Sequence, residues 1–212
     1  MLGIPPHTAL STNKLSSTFG TISAIGSFAK SGLVLWKVAL FGLPFSLLGA
    51  PLGSLFALYL EPALLGKVLV VLLFPAFALT IIKPSAIRTN HRIQAWKIAL
   101  ICFCIGLYDG FFGPGTGSFL ILAFYSLLGM ELLHASAIAK VLNGASNLSS
   151  AITFIFSGSM LWALAIPMAC MSIVGNILGS RFAIHTGAKS VRYFLRFVMI
   201  LLLITLIVKY CI

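Results

Sequence analysis

The sequence predicts an all-α polytopic membrane protein, and three observations support this fold class. Of the 212 residues, 60% are hydrophobic and only 8% are charged, whereas soluble domains carry about 25% charged residues. Apolar stretches near the length of a membrane-spanning helix recur along the whole chain. The chain also aligns with itself at a fixed offset, as many transporters do. We therefore predict a multi-pass protein whose solvent is lipid.

About seven hydrophobic segments are predicted. They cover residues 7–29, 34–60, 63–82, 95–128, 134–157, 160–182 and 191–211. The second is interrupted at Gly49-Ala50-Pro51, and the fourth, at about 34 residues, exceeds the 17–25 that one tilted span needs. The fourth contains DGFFGPGTGSFL, residues 109–120, whose glycines and proline predict a broken helix at 109–118.

Two tandem repeats are predicted from an alignment of the chain with itself at an offset of 126 positions. Across residues 3–57, 17 of 55 ungapped pairs are identical, including Lys14 with Lys140 and Trp36 with Trp162. The repeats divide the chain into residues 1–82, a basic linker at 83–94 and residues 95–212. Residues 109–117 have no counterpart in the first repeat, which is therefore expected to lack its opening helix.

The basic character of the chain does not indicate a nucleic-acid partner. The net charge is +11, but the basic residues mostly separate apolar runs, which is the pattern of membrane loops. The cysteines all lie in apolar stretches, and free buried thiols are predicted. They are Cys102, Cys104, Cys170 and Cys211. No zinc, dinucleotide, metalloprotease or hydrolase pattern occurs, so neither an enzyme nor a metal or other cofactor is expected.

Two lysines at equivalent positions of the repeats, Lys14 and Lys140, fall inside predicted spans. A charge at a helix centre costs about 2.5–3.5 kcal/mol, so it usually faces a cavity or a partner. Asn143 and Asn147 would share a helix face with Lys140. Amides and hydroxyls around a cation, with no acid nearby, suit an oxyanion better than a metal. The alternatives are that Lys14 extends to the membrane surface and that the asparagines only join helices.

The broken helix has a matching interpretation. A helix that restarts near Thr116 or Ser118 would present free N–H groups and a positive dipole end. Transporters hold anionic groups at such half-helix N-termini. Lys140 would supply charge, while Asp109 would carry a coupling proton or pair with a lysine. The alternative is a kink where glycines let another helix pack closely.

Three segments resemble the motifs of a known family. They are GLYDGFFGPGTGSFL at 106–120, AKVLNGASN at 139–147 and ALSTNKLSSTFGTISA at 9–24. In order and spacing they are similar to the TauE/SafE family of sulfite and organosulfonate permeases, over nearly the whole chain. The resemblance implies about eight spanning helices in two repeats and ion-coupled transport of a small anion across the bacterial inner membrane.

Matching the motifs residue by residue implies a substrate pocket with Asp109 as the candidate coupling group. The pocket residues would be Asn13, Lys14, Gly113, Gly115, Thr116, Gly117, Ser118, Lys140, Asn143 and Asn147. The expected partners are a small anion and the lipid bilayer, and self-association into a homo-oligomer is left open. Two other functions remain open: a passive anion channel, and a non-transporting membrane subunit or truncated remnant, because the first repeat lacks its glycine-rich helix.

Overall fold

The computed structural model describes residues 5–61, 64, 68 and 94–210, of which residues 188–210 are described by their backbone and two side chains. Six helices lie within these residues, and none of the described residues lies in a strand. This confirms the all-α class. The helices are α1 (Pro6–Lys30), α2 (Trp36–Tyr59), α3 (Ala95–Phe111), α4 (Thr116–Ser126), α5 (Leu132–Phe156) and α6 (Trp162–Tyr210). The predicted segment 63–82 and linker 83–94 lie, apart from residues 64, 68 and 94, outside the described residues.

Helices α1 and α5 have matching bounds. They begin at positions 6 and 132 and end at positions 30 and 156, a difference of 126 at both ends. Pro6 lies in the first turn of α1, where the N–H that proline lacks has no helical partner. After each helix a glycine with positive φ, Gly32 at 72° and Gly158 at 68°, redirects the chain. The difference of 126 positions between the bounds of α1 and α5 equals the offset from which the tandem repeat is predicted.

The interruption predicted at Gly49–Pro51 is wrong, because α2 runs through it without a break. Pro51 has no N–H, so the carbonyl of Leu47 loses its usual helical donor. The Ser149 hydroxyl of α5 donates to this carbonyl at 3.0 Å. A neighbouring helix thus satisfies the freed backbone group, which is how proline is tolerated inside apolar helices.

The predicted break in the fourth segment is confirmed and lies at residues 112–115. Helix α3 ends at Phe111 and α4 begins at Thr116. Gly113 and Gly115 have φ of 91° and 82°, values that residues with a Cβ rarely adopt. The Tyr108 hydroxyl donates to the Pro114 carbonyl at 2.8 Å and so holds the connection against α3.

The last two predicted segments, 160–182 and 191–211, are joined in one helical run, α6. Its backbone is non-helical at Gly187, where φ is 76° and ψ is −175°. Among the described residues, α2 and the Trp162–Gly187 part of α6 are long and apolar enough to cross a membrane. Large apolar side chains face outward, including Tyr59 and Phe156, each 87% exposed, as a surface in contact with lipid requires.

Helix α5 occupies the centre of the bundle. It packs against α1, α2 and α4, while α1 also packs on α6 and α2 on α3. Two buried clusters of apolar side chains form the core, the larger around Ile138 and Leu142 of α5. The prediction of buried thiols is correct for Cys102 only. Cys104 and Cys170 are exposed, because their positions on α3 and α6 face outward, where a small apolar group meets lipid at no cost. Cys211 lies outside the described residues.

Helices α2 and α3 pack with their backbones in direct contact, which small residues allow. A Cβ placed on Gly110 of α3 would overlap the carbonyl oxygen of Ala50, and one on Gly53 of α2 would overlap that of Leu107. The Ser54 hydroxyl also donates to the Gly110 carbonyl at 3.2 Å. This close contact fixes α3, and with it Asp109, against α2.

We expect Gly110→Ala to destabilise the protein by about 3 kcal/mol, since overpacking usually costs 1–3 kcal/mol and backbone atoms here have no room to yield. The measurement is the thermal unfolding midpoint in detergent. Gly175→Ala is the matched control, because within the described part of the chain no atom of another segment lies within 4 Å of a Cβ built on Gly175 of α6. Equal midpoints for the two variants would contradict the close contact.

Candidate functional site

Lys14 lies in the interior of the bundle, with 1% of its side chain exposed. Its Nζ is 2.8 Å from Oδ1 of Asp109 and donates to Oδ1 of Asn147 at 3.1 Å. The alternative that Lys14 extends to the membrane surface is therefore wrong. The expectation that no acid lies near the lysines is also wrong for Lys14. The alternative that Asp109 pairs with a lysine agrees with this contact, in which α1 and α3 meet in the folded bundle.

Asp109 is the centre of this polar cluster. Its side chain is 2% exposed and lies in the last turn of α3. Its Oδ1 accepts from the Thr116 hydroxyl at 2.7 Å, and its Oδ2 accepts from the Ser146 hydroxyl. One carboxylate thus receives hydrogen bonds from Lys14 on α1, Thr116 on α4 and Ser146 on α5. A buried charge needs such partners, since an isolated ion in an apolar interior is very costly.

The break between α3 and α4 lines the same cluster. A Cβ on Gly113 would lie 3.0 Å from Nζ of Lys14, and one on Gly117 would lie 3.8 Å from Nδ2 of Asn143. Gly115 is the N-cap of α4, and no side chain caps the helix. The first amides of a helix lack helical acceptors and carry positive partial charge. Because Gly117 lies in this first turn, the backbone at the start of α4 faces the amide side chain of Asn143 on α5.

The two asparagines of α5 are linked to each other. Nδ2 of Asn147 donates to Oδ1 of Asn143 at 3.1 Å, while Oδ1 of Asn147 accepts from Lys14. Asn143 is half-buried, and within the described residues its Nδ2 donates no hydrogen bond. This amide nitrogen is a donor available to a ligand beside the start of α4.

Lys140 has a different environment from its repeat equivalent. It is half-buried, and its Nζ donates to Oδ1 of Asn176 on α6 at 3.0 Å. Among the described residues no carboxylate pairs with it. Of the three acids, Asp109 pairs with Lys14, Glu131 is 3.8 Å from His134, and Glu61 is exposed beyond α2. Lys140 is thus a cation inside the bundle without a paired acid.

The structure brings most of the predicted residues together, although in two adjacent groups. Lys14, Asp109, Gly113, Thr116, Gly117, Asn143 and Asn147 form the first group, and Lys140 with Asn176 forms the second. Along α5, Lys140 is one turn from Asn143, a rise of about 5 Å. Asn13 and Ser118 are half-buried, and neither side chain hydrogen-bonds to either group within the described residues.

Two residues of the site, Ser146 and Asn176, were not among the sequence predictions. Asn176 could have been found, because an amide inside the apolar segment 160–182 needs a partner when lipid surrounds the helix. Ser146 gave no such signal, since it is one of several serines near Asn147. Among the described residues no three His, Cys, Asp or Glu side chains lie close enough to hold a metal ion.

The chain is similar in sequence to several known membrane proteins. The family model "Sulfite exporter TauE/SafE" matches residues 1–207. The "Probable membrane transporter protein ORF9" of Sinorhizobium sp. is 38% identical over 208 residues, which cover 97% of this chain and 80% of the relative. "Probable membrane transporter protein YfcA" of Escherichia coli K12 is 34% identical over 193 residues, 90% of this chain and 72% of the relative. A "Probable membrane transporter protein" of Haemophilus influenzae is 36% identical over 196 residues, which cover 91% of this chain and 76% of the relative. No solved structure matches the chain.

Proposed function

Because the chain belongs to the sulfite exporter TauE/SafE family, we propose that this integral membrane protein is an ion-coupled permease for small anions of the sulfite or organosulfonate type. It moves its substrate without a chemical step, and the substrate site is the pair of polar groups around α5. The proposal rests on the family together with the geometry of Lys14, Lys140 and the start of α4.

The observation that supports an anion most directly is the environment of Lys140. A cation inside a membrane protein usually has an acid partner or lines a substrate path. Lys140 has a neutral amide partner, Asn176, and among the described residues no acid. A small anion would neutralise this charge in a medium of low dielectric constant, where the attraction is far stronger than in water. A metal cation would be repelled.

Hydrogen-bond donors beside Lys140 can replace the water that an oxyanion loses on binding. Among the described residues Nδ2 of Asn143 donates no hydrogen bond, and it lies next to Gly117 in the first turn of α4. The Thr116 N–H of that turn already donates to the Gly113 carbonyl at 3.2 Å, so the amides of Gly117 and Ser118 are the ones that add donors, together with the positive end of a helix dipole. Preorganised donors of this kind bind an anion without the cost of orienting them at each transport cycle. A tetrahedral or pyramidal sulfur oxyanion has several oxygens that can use them together.

The test is anion flux in proteoliposomes that contain the 212-residue chain. Sulfite, sulfoacetate, sulfate and chloride are offered in turn, with and without a proton or sodium gradient. We expect saturable uptake of sulfite or the sulfonate that exceeds uptake of chloride and that a gradient drives above equilibrium. Flux that never exceeds equilibrium would indicate a passive channel. No flux from well-folded protein would contradict the proposal.

A further inference from the structure

The carboxylate of Asp109 is held as a bound oxyanion would be. Its two oxygens receive a cationic donor, Lys14, and two hydroxyl donors, Thr116 and Ser146, which come from three different helices. These are the donor types that a sulfur oxyanion requires. The glycine at 113 leaves the space beside Nζ of Lys14 without a side chain. The protein thus carries its own anion at one lysine of the proposed substrate site.

We propose that Asp109 is a tethered counter-anion that competes with the substrate for Lys14, and that a proton on Asp109 is the coupling ion. This inference rests on the proposed anion permease. It assigns the coupling to one carboxyl group and to one ion, and it predicts that the substrate and the proton bind together.

The reason is the cost of an unpaired buried charge. Lys14 is almost completely buried, so its ammonium group needs an anion at every stage of the cycle. When Asp109 is ionised, it fills this role and keeps the substrate away. When Asp109 takes up a proton, Lys14 is left unpaired unless a substrate anion arrives. Proton binding and anion binding therefore favour each other, and by linkage the effect is reciprocal.

Groups from α3 itself and from the helices packed against it surround Asp109. Helix α1 presents Lys14, α4 and α5 present the hydroxyls of Thr116 and Ser146, and α3 itself presents the adjacent Tyr108, whose hydroxyl is bonded to Pro114. Helix α2 contacts α3 at Gly110 and presents no charged side chain there. Among the described residues no second charged group pairs with the carboxylate.

One proton and one monovalent anion then cross the membrane together. The proton comes from the aqueous side and converts the carboxylate to a carboxylic acid, which releases Lys14 to the anion. On the other side the anion leaves, the acid returns its proton to water, and the ion pair re-forms. Lys14 is paired with Asp109 both before the anion binds and after it leaves. The net charge of this pair is therefore the same at the start and at the end of the cycle. The ion pair also links α1 to α3. Helix α1 packs on α6, and helix α3 packs on α2.

The experiment compares wild type with Asp109→Asn in proteoliposomes, using labelled methanesulfonate, which stays a monoanion across the whole working pH range. Two rates are measured: accumulation driven by a proton gradient, and exchange of labelled for unlabelled substrate at equal pH. For one proton per anion, a gradient of about one pH unit supports about tenfold accumulation in wild type. We expect the accumulation ratio of Asp109→Asn to fall to about one, because this variant has no carboxyl group at position 109 to carry the proton. Glu131→Gln is the matched control, because it removes an acid whose side chain is 66% exposed.

The outcomes separate the two proposals. Wild-type protein without exchange or accumulation would overturn the permease and this inference with it. Wild-type exchange without proton-driven accumulation would leave the anion site standing and overturn the proton. Accumulation by Asp109→Asn at the wild-type level would show that another group carries the coupling. Loss of exchange as well, in folded Asp109→Asn protein, would show that Asp109 only builds the pocket.

A binding measurement gives a second readout that does not depend on transport. Adding methanesulfonate to purified wild type in weakly buffered detergent solution should cause uptake of about one proton per anion bound. Asp109→Asn should bind the anion without proton uptake. If that variant fails to fold, the neutral double variant Lys14→Met/Asp109→Asn, with Lys140 retained, should bind more weakly and take up no proton. Equal proton uptake by wild type and the variant would overturn the inference.

Discussion

Lys140→Ala is expected to reduce anion uptake to the level of protein-free vesicles while the protein still inserts and folds. Losing a charged partner of a buried anion costs about 2–5 kcal/mol, which weakens binding at least about 30-fold. The fold should survive, because the Nζ of Lys140 makes one hydrogen bond, to Asn176, among the described residues. Removing it exposes no buried carboxylate. The measurement is initial uptake near the wild-type half-saturation concentration.

Lys30→Ala is the matched control for this variant, since Lys30 is an exposed lysine at the end of α1. Its uptake should equal that of wild type. Lys140→Arg should retain part of the flux, because the charge remains while the geometry at Asn176 changes. Wild-type uptake by Lys140→Ala would show that the unpaired cation does not contact the substrate, and the anion site would have to lie elsewhere.

Lys14→Met is expected to destabilise the protein by about 3 kcal/mol, the lower end of the 3–5 kcal/mol that breaking a buried pair costs. The variant leaves the carboxylate of Asp109 buried without a cation, although the hydroxyls of Thr116 and Ser146 still donate to it. The thermal unfolding midpoint in detergent should fall, and uptake should be lost as well.

The double variant Lys14→Met/Asp109→Asn completes the test of the ion pair. It removes both charges, so its midpoint should lie well above that of Lys14→Met alone, a coupling expected of groups in direct contact. Lys37→Met serves as the control, because Lys37 is exposed at the start of α2. A double variant that is less stable than the single one would contradict the pairing of Lys14 with Asp109.

Local sequence patterns were sufficient for the broken helix and for the membrane class. Gly113 and Gly115 take positive φ, and the helix restarts at Thr116, as the glycines and the proline of residues 109–118 predict. The prediction failed where a distant residue decides the outcome. The proline at position 51 does not break α2, because a serine 98 positions further on satisfies the free carbonyl at position 47.

The sequence by itself therefore determined that the protein is helical and apolar on its outside. It also determined that two lysines lie in predicted spans, where their charge needs a partner inside the bundle. These properties depend on composition and on spacing along one helix, which do not change on folding. Only the tertiary structure decided which lysine has an acid. Lys14 meets Asp109 across 95 positions of sequence, while Lys140 meets a neutral amide on α6. Coulomb attraction depends on distance in space, and the packing of the helices sets that distance.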